Sequence, residues 1–228
     1  MLKIIALILV TISASANETV TSYVEPDGHE SRSSRIYLEA HAGPSIGTGS
    51  WSSMNGVPST QSSTKFSGGF GLQSAFNDIF YFQTELNYVQ RGFNSPIGIG
   101  GYSSDHNFSY LEIPLLLKAK AVTGSALRPY VMAGPSIGVL TSSAVTFNEF
   151  NTIYEVSSSA NQFETFNISA VFGGGVSFEL NDKSNFFLDG RYSHGLTNVL
   201  KSSTFSDVSA DTMKLHLVQV MTGLQFGL

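Results

Sequence analysis

Asp189, Ser193 and His194 lie close together and are the residue types of a serine hydrolase. In such a site the histidine takes the serine proton and the aspartate orients the histidine. Ser193 and His194 are adjacent, however, and adjacent residues of a β-strand point to opposite faces of the sheet. Because the surrounding residues alternate in polarity, we expect a strand here and no pairing of serine with histidine. We therefore predict that the chain is not an enzyme, and a lipid-modifying hydrolase is the alternative that these residues leave open.

Charged residues of both signs recur on the polar faces of alternating segments elsewhere in the chain. Carboxylates and basic groups that share a narrow enclosed space can pair, which offsets the cost of removing them from water. We therefore predict an internal ion-pair network rather than a catalytic or ion-conducting site. Its expected members are Glu39, Glu85, Glu112, Lys118, Asp189 and Arg191.

The sequence gives no sign of a metal, cofactor or nucleic-acid site. Cysteine is absent, which excludes thiolate ligands and cysteine nucleophiles. The 5 histidines do not have the spacing of metal ligands. The formal net charge of −5 argues against nucleic acid, whose binding relies on clustered basic residues. We predict no cofactor, no metal and no nucleic-acid partner.

Eight segments alternate between apolar and polar residues and must position these side chains. An alternating period is typical of strands that face two different surroundings. Each segment is close to or longer than the roughly 9–11 residues that a tilted strand needs to cross a bilayer. The predicted strands are 35–47, 65–76, 79–93, 108–122, 128–140, 166–180, 186–194 and 213–228.

The composition indicates which face of these strands meets lipid. Charged residues make up 13% of the chain, against roughly 25% in ordinary soluble domains. The polar faces are small and rich in Gly and Ser, so they would form a poor surface in water but can pack inside a narrow barrel. In the third segment Phe80 and Leu86 share the apolar face, while Gln83 and Glu85 share the polar face. We therefore predict that the apolar faces meet lipid and the polar faces fill the lumen.

The connections between the segments alternate in length. Long polar connections at 48–64, 94–107, 141–165 and 195–212 alternate with short ones at 77–78, 123–127 and 181–185. Short periplasmic turns and long extracellular loops are typical of outer-membrane barrels. The sequence therefore predicts an all-β fold, an eight-stranded antiparallel up-and-down transmembrane β-barrel over 35–228.

The connection 141–165 is unusual because it contains Phe147, Phe150, Tyr154 and Phe163. Either the flanking strands extend above the membrane as a hairpin, or these aromatic residues form a loop contact surface for a partner. We favour the extension.

The first residues have the features of an export signal. Lys3 precedes the apolar stretch 4–12, and Ala14-Ser15-Ala16 is a small-residue cleavage site. We predict a cleaved signal peptide at 1–16, a flexible periplasmic lead at 17–34, and export to the outer membrane.

Three segments resemble strands of the PorT-like family of outer-membrane β-barrels. They are YLEIPLLLK at 110–118, PYVMAGPSIG at 129–138 and LDGRYSHGLTN at 188–198. The resemblance implies a small barrel in the outer membrane of a Gram-negative bacterium with no established enzymatic activity. One branch of that family is linked to protein secretion. The implied partners are outer-membrane lipid, the barrel-assembly machinery during biogenesis, and an extracellular or periplasmic protein.

These observations favour a structural or interaction barrel with a lumen filled by side chains and with exposed extracellular loops. One alternative is a transport or secretion accessory, or a narrow pore. Another is a soluble lipocalin-like periplasmic carrier, which would have an apolar lumen and a charged outer surface.

Overall fold

A computed structural model describes residues 36–52, 61–97, 102–123, 125–149, 152–156, 163–181, 183–199 and 212–228. The predicted signal peptide and periplasmic lead lie outside these residues.

The described chain consists of antiparallel strands whose sequences alternate between apolar and polar residues. The strands are β1 Ile36–Ser52, β2 Gln61–Ala75, β3 Phe80–Ile97, β4 Tyr102–Lys120, β5 Leu127–Glu149, β6 Thr152–Val156, β7 Phe166–Asn181, β8 Ser184–Gly195 and β9 Thr212–Gly227. All except the short β6 form a barrel in which each strand pairs with its neighbours in chain order. Pairing of β1 with β9 closes the barrel, with Tyr37 opposite Gly227 and Ser52 opposite Thr212. The predicted eight-stranded up-and-down barrel is therefore confirmed.

The strands extend further than predicted at the end that carries the long connections. β3 and β4 remain paired as far as Ile97 and Tyr102, so most of the predicted loop 94–107 belongs to the sheet. β5 continues to Glu149 and pairs with β6, which is the hairpin extension favoured for 141–165. Backbone pairing satisfies the amide and carbonyl groups whatever the side chains are, so the polar Ser and Thr residues of these segments do not end the strands.

At the opposite end the turns are short. Between β2 and β3, Asn77 Oδ1 accepts hydrogen bonds from the backbone amides of Ile79 at 2.9 Å and Phe80 at 2.7 Å. An asparagine side chain that accepts backbone amides in this way stabilises a tight turn.

The two faces of the barrel wall have opposite polarity. Along β3, Gln83 and Glu85 are buried, whereas Leu86 and Tyr88 are exposed on the outer surface. The outer surface elsewhere is also apolar, and Phe172 on β7 is 54% exposed. An apolar exterior is stable in lipid, where every backbone polar group must be paired within the protein. The described residues therefore have the reverse of the arrangement that a lipocalin-like carrier requires, which argues against that alternative. No helix among the described residues is both long enough and apolar enough to span a membrane.

The hexapeptide AGPSIG occurs twice, at 42–47 in β1 and at 133–138 in β5. A Cβ atom at Gly43 would lie 1.8 Å from the carbonyl oxygen of Val220, and one at Gly134 would lie 1.9 Å from that of Leu115. In both copies the glycine allows the strand to approach the neighbour that precedes it around the barrel. The repeated motif therefore serves the same packing purpose on opposite sides of the wall.

Candidate functional site: the polar lumen

Glycines on β2 make room for charged side chains of the neighbouring strands. A Cβ atom at Gly71 would lie 2.6 Å from Glu39 Oε1, and one at Gly69 would lie 2.2 Å from Asn87 Oδ1. β2 lies between β1 and β3, so side chains of these two strands reach across β2 inside the barrel. The glycines therefore let Glu39 and His41 of β1 meet Glu85 and Asn87 of β3.

Arg191 on β8 joins two carboxylates at the centre of the lumen. Its Nη1 donates to Glu85 Oε2 at 2.7 Å. Its Nε and Nη2 donate to the two carboxylate oxygens of Asp189 at 2.8 and 3.1 Å. All three residues are buried. Charge-assisted hydrogen bonds of this geometry offset the desolvation of the charges, and removing one partner would leave an uncompensated buried charge.

Amide side chains link this ion pair to Glu39. Glu39 accepts hydrogen bonds from Gln83 at 2.6 Å and from Gln225 at 2.8 Å. Gln83 also contacts Glu85, so its amide group lies between the two carboxylates. The network therefore continues from β8 across β3 to β1 and β9 without bringing the two glutamates into direct contact.

His41 completes the cluster and gives it the ligand types of a metal site. Its Nδ1 lies 3.5 Å from Glu39 Oε1, and its Nε2 lies 3.6 Å from Glu85 Oε2 and 2.8 Å from Asn87 Oδ1. Glu39, His41 and Glu85 each offer a ligand atom within 4.8 Å of the others. Histidine and carboxylate are zinc ligands. The guanidinium of Arg191 already contacts the same Glu85 oxygen, however, and its positive charge opposes a second cation there.

Glu112 and Lys118 do not join this network. Glu112 pairs with Arg91 of β3, whose Nη2 lies 2.5 Å from Glu112 Oε1. Lys118 makes no ion pair within the described residues. Its Nζ lies 4.3 Å from the ring centroid of Tyr130 and 5.8 Å from that of Phe187. The single network that we predicted is therefore divided into two ion-paired groups and a lysine that contacts aromatic rings.

An aromatic layer fills the lumen at the end of the long connections. Phe108 and Phe163 pack edge to face, with ring centroids 4.9 Å apart. Phe163 lies between strands and enters the barrel beside Val199, whose carbonyl accepts the backbone amide of Glu164 at 2.9 Å. The buried members of the layer are Phe93, Phe108, Tyr110, Phe163, Val199, Met213 and Leu215.

This position corrects the loop-surface hypothesis for Phe163, which is only 6% exposed and packs inward. The Phe163 ring is buried in the apolar interior at this end of the barrel, whereas in an exposed loop it would remain in contact with water. Phe147 and Tyr154 are opposite one another in the pairing of β5 with β6. Phe150 lies outside the described residues.

Ser193 and His194 lie on opposite faces of β8, as the alternation predicted. Ser193 is buried in the lumen, where its Oγ accepts a hydrogen bond from Arg91 at 3.4 Å. His194 lies on the outer surface, where it contacts Tyr192 and His216. Neither Ser193 nor Asp189 is therefore in a position to share a catalytic site with His194.

The sequence reasoning did not identify His41 and Arg91 as members of the polar lumen. Both could have been found from the two-residue period of a strand, which places alternate residues on the same face. Arg91 is six residues from Glu85 on β3, and His41 is two residues from Glu39 on β1, so each lies on the lumen face. Their partners could not be found in this way, because they depend on the register between strands.

A match to a family model agrees with this architecture. Residues 26–201 match the family model described as outer membrane protein beta-barrel domain. Neisserial surface protein A (NspA) is 14% identical, with a TM-score of 0.49 over 86% of this chain and 98% of that chain. The outer membrane protein AlkL is 14% identical, with a TM-score of 0.46 over 92% and 95%. Ail of Yersinia pestis is 12% identical, with a TM-score of 0.40 over 83% and 98%. The comparison with curated protein sequences gave no match. The chain belongs to the outer membrane protein beta-barrel domain family.

Proposed function

We propose that this protein is a closed structural or interaction barrel of the outer membrane, which contacts other molecules through its extracellular end rather than conducting solutes. The observation that carries the proposal is the filling of the lumen by buried side chains. Eight strands enclose an interior just wide enough for side chains. The same charged groups in a wider barrel would line a water-filled channel.

The filling is arranged in successive layers along the barrel. Lys120, over the rings of Tyr37 and Tyr81, lies nearest the short turns. Lys118 with its aromatic neighbours follows, and then the Arg191 network. The Arg91–Glu112 pair lies above that network, and the aromatic layer lies at the extracellular end. A solute passing through would have to separate two buried ion pairs and an apolar cluster. Separating a buried ion pair leaves uncompensated charges in the lumen, which costs a free energy on the order of 3–5 kcal/mol.

The finer assignments are part of the same proposal. The PorT-like resemblance supports a barrel without catalytic activity that binds no cofactor. The apolar segment 4–12 and the Ala14-Ser15-Ala16 site support export and cleavage after Ala16. The barrel-assembly machinery would insert the barrel, and a protein partner would meet its extracellular or periplasmic surface.

Planar-bilayer recording of the folded protein tests the closed lumen. Folding is monitored by the mobility shift of heated against unheated samples on a gel, and a water-filled porin in the same bilayer serves as the positive control. We expect the folded protein to give no steady single-channel conductance. Steady conductance from folded protein would contradict the proposal and favour the narrow-pore or transport alternative.

A further inference from the structure

Two histidines and a lysine gather on the outer surface of β8 and β9. His194 and His216 are directly opposite one another, and their ring centroids are 4.6 Å apart. Lys214 precedes His216 by two residues on the same face of β9 and is opposite Ser50 of β1. Tyr192 Oη lies 3.3 Å from His194 Nδ1, and Ser50 Oγ lies 2.9 Å from His216 Nε2. We call these five residues, Ser50, Tyr192, His194, Lys214 and His216, the imidazole patch.

On β9 and β1 the imidazole patch lies where the apolar outer face of the strand ends. On β9 the next outward residue after His216 is Val218, and on β1 the outward residue before Thr48 is Ile46; both are exposed and lie opposite one another. Leu228 at the other rim lies ten positions after Val218. At about 3.3 Å per residue and a tilt of about 40°, they cover roughly 25 Å of height, which is the height of an apolar band in such barrels. The patch therefore lies at the level of the outer-leaflet headgroups.

Outward-facing cations are otherwise rare on the described wall. Of the other described Lys and Arg residues on the strands, Arg91, Lys118, Lys120 and Arg191 are buried in the lumen. Lys65 on β2 is half-buried and has the inward parity of buried Ser67. Arg128 pairs with Glu179 near the short turns. Lys214 has no ion-pair partner within the described part of the chain. Its charge at this level is therefore not explained by pairing within the barrel wall.

We propose that the imidazole patch binds the phosphate group of a phosphorylated lipid in the outer leaflet. Lys214 supplies a point charge of the kind that binds phosphate. Each of the two hydroxyl–imidazole pairs uses one hydrogen internally and leaves one further hydrogen-bond donor at the same height. Exposed Val218 and Ile46, directly below, offer an apolar surface to the acyl chains. The neighbouring Lys214 makes a metal ion between the two imidazoles the poorer alternative, because its positive charge would repel a cation. The inference does not depend on a closed lumen.

Lipid retention tests the inference. Wild-type protein and the variant Lys214→Gln, His194→Gln, His216→Gln are placed in nanodiscs of phosphatidylcholine containing a minor fraction of phosphatidic acid. Each protein is then extracted with detergent, and its retained lipid is identified by mass spectrometry. We expect wild type to retain phosphatidic acid with several-fold enrichment over the bulk mixture, and the variant to retain the bulk ratio.

The matched control is Lys183→Gln, which removes the same charge from the exposed turn between β7 and β8. We expect this control to retain phosphatidic acid as wild type does. The gel mobility shift verifies folding, and Lys214→Gln alone replaces the triple variant if the latter does not fold. Equal enrichment in wild type and variant would overturn the inference, as would equal loss in Lys183→Gln. Phosphorus NMR with inorganic phosphate distinguishes the source: binding of free phosphate without lipid enrichment would also overturn it.

Discussion

Replacing Arg191 with methionine removes the guanidinium that lies between Glu85 and Asp189. Methionine fills much of the same volume, so the substitution removes mainly the charge and its hydrogen bonds. Arg191 contacts Glu85 at 2.7 Å and Asp189 at 2.8 Å, and all three residues are buried. The two carboxylates would remain in the lumen without their shared partner.

The expected loss of unfolding free energy is about 3–5 kcal/mol, because breaking a buried ion pair leaves an uncompensated charge. Urea unfolding in lipid vesicles measures this loss, with the folded fraction read from gel mobility. The matched control is Arg128→Met, whose pair with Glu179 at 2.8 Å is about a third exposed. An exposed pair of this kind contributes at most about 1 kcal/mol.

Adding Glu85→Gln to Arg191→Met should recover part of the loss, because it removes one of the stranded charges. The reasoning is refuted if Arg191→Met costs no more than Arg128→Met. It is also refuted if the added Glu85→Gln deepens the loss.

Two further predictions concern the barrel wall. Gly134→Ala should cost at least about 1–3 kcal/mol in the same urea assay, because its Cβ would lie 1.9 Å from the Leu115 carbonyl oxygen. Gly190→Ala, whose Cβ would meet nothing within 4 Å, should be nearly neutral, and equal effects of the two would contradict the packing described. Leu224→Arg on the outer face of β9 should cost about 2–4 kcal/mol near the middle of the bilayer. Leu228→Arg at the rim should cost only about 0–1 kcal/mol, and a cost independent of depth would argue against lipid contact.

The strand period accounts for what could be predicted of the fold. Alternation along β3 and β8 places Glu85 and Arg191 inside and Leu86 and Tyr192 outside, as the structure does. The ends of the strands on the side of the long connections could not be predicted. There β5 pairs with β6 as far as Glu149 through backbone hydrogen bonds, and such pairing produces no alternating pattern of side chains in the sequence.

The partners inside the lumen depend on register and tilt, which a single sequence does not contain. Arg91 and Glu112 are 21 residues apart and meet because β3 and β4 pair in one particular register. Lys118 faces the lumen, as the alternation along β4 predicts. Its height along the barrel, however, places its ammonium group over the rings of Tyr130 and Phe187 and not beside a carboxylate of the described residues. Phe163 is outside the strand period altogether, and its burial follows from the return of its segment into the barrel.

Spin labelling along β9 tests the central claim most directly, which is that a lipid-facing apolar wall surrounds a packed polar lumen. The chain contains no cysteine, so each single-cysteine variant carries one label. Labels at Val218 and Val220 should be accessible to oxygen dissolved in the bilayer, because these residues are exposed on the outer face. Labels at Gln219 and Met221 should be inaccessible both to oxygen and to a water-soluble nickel complex, because these residues are buried. Access of the nickel complex to positions 219 and 221 would mean a water-filled lumen, and its access to 218 and 220 would contradict the membrane-facing wall.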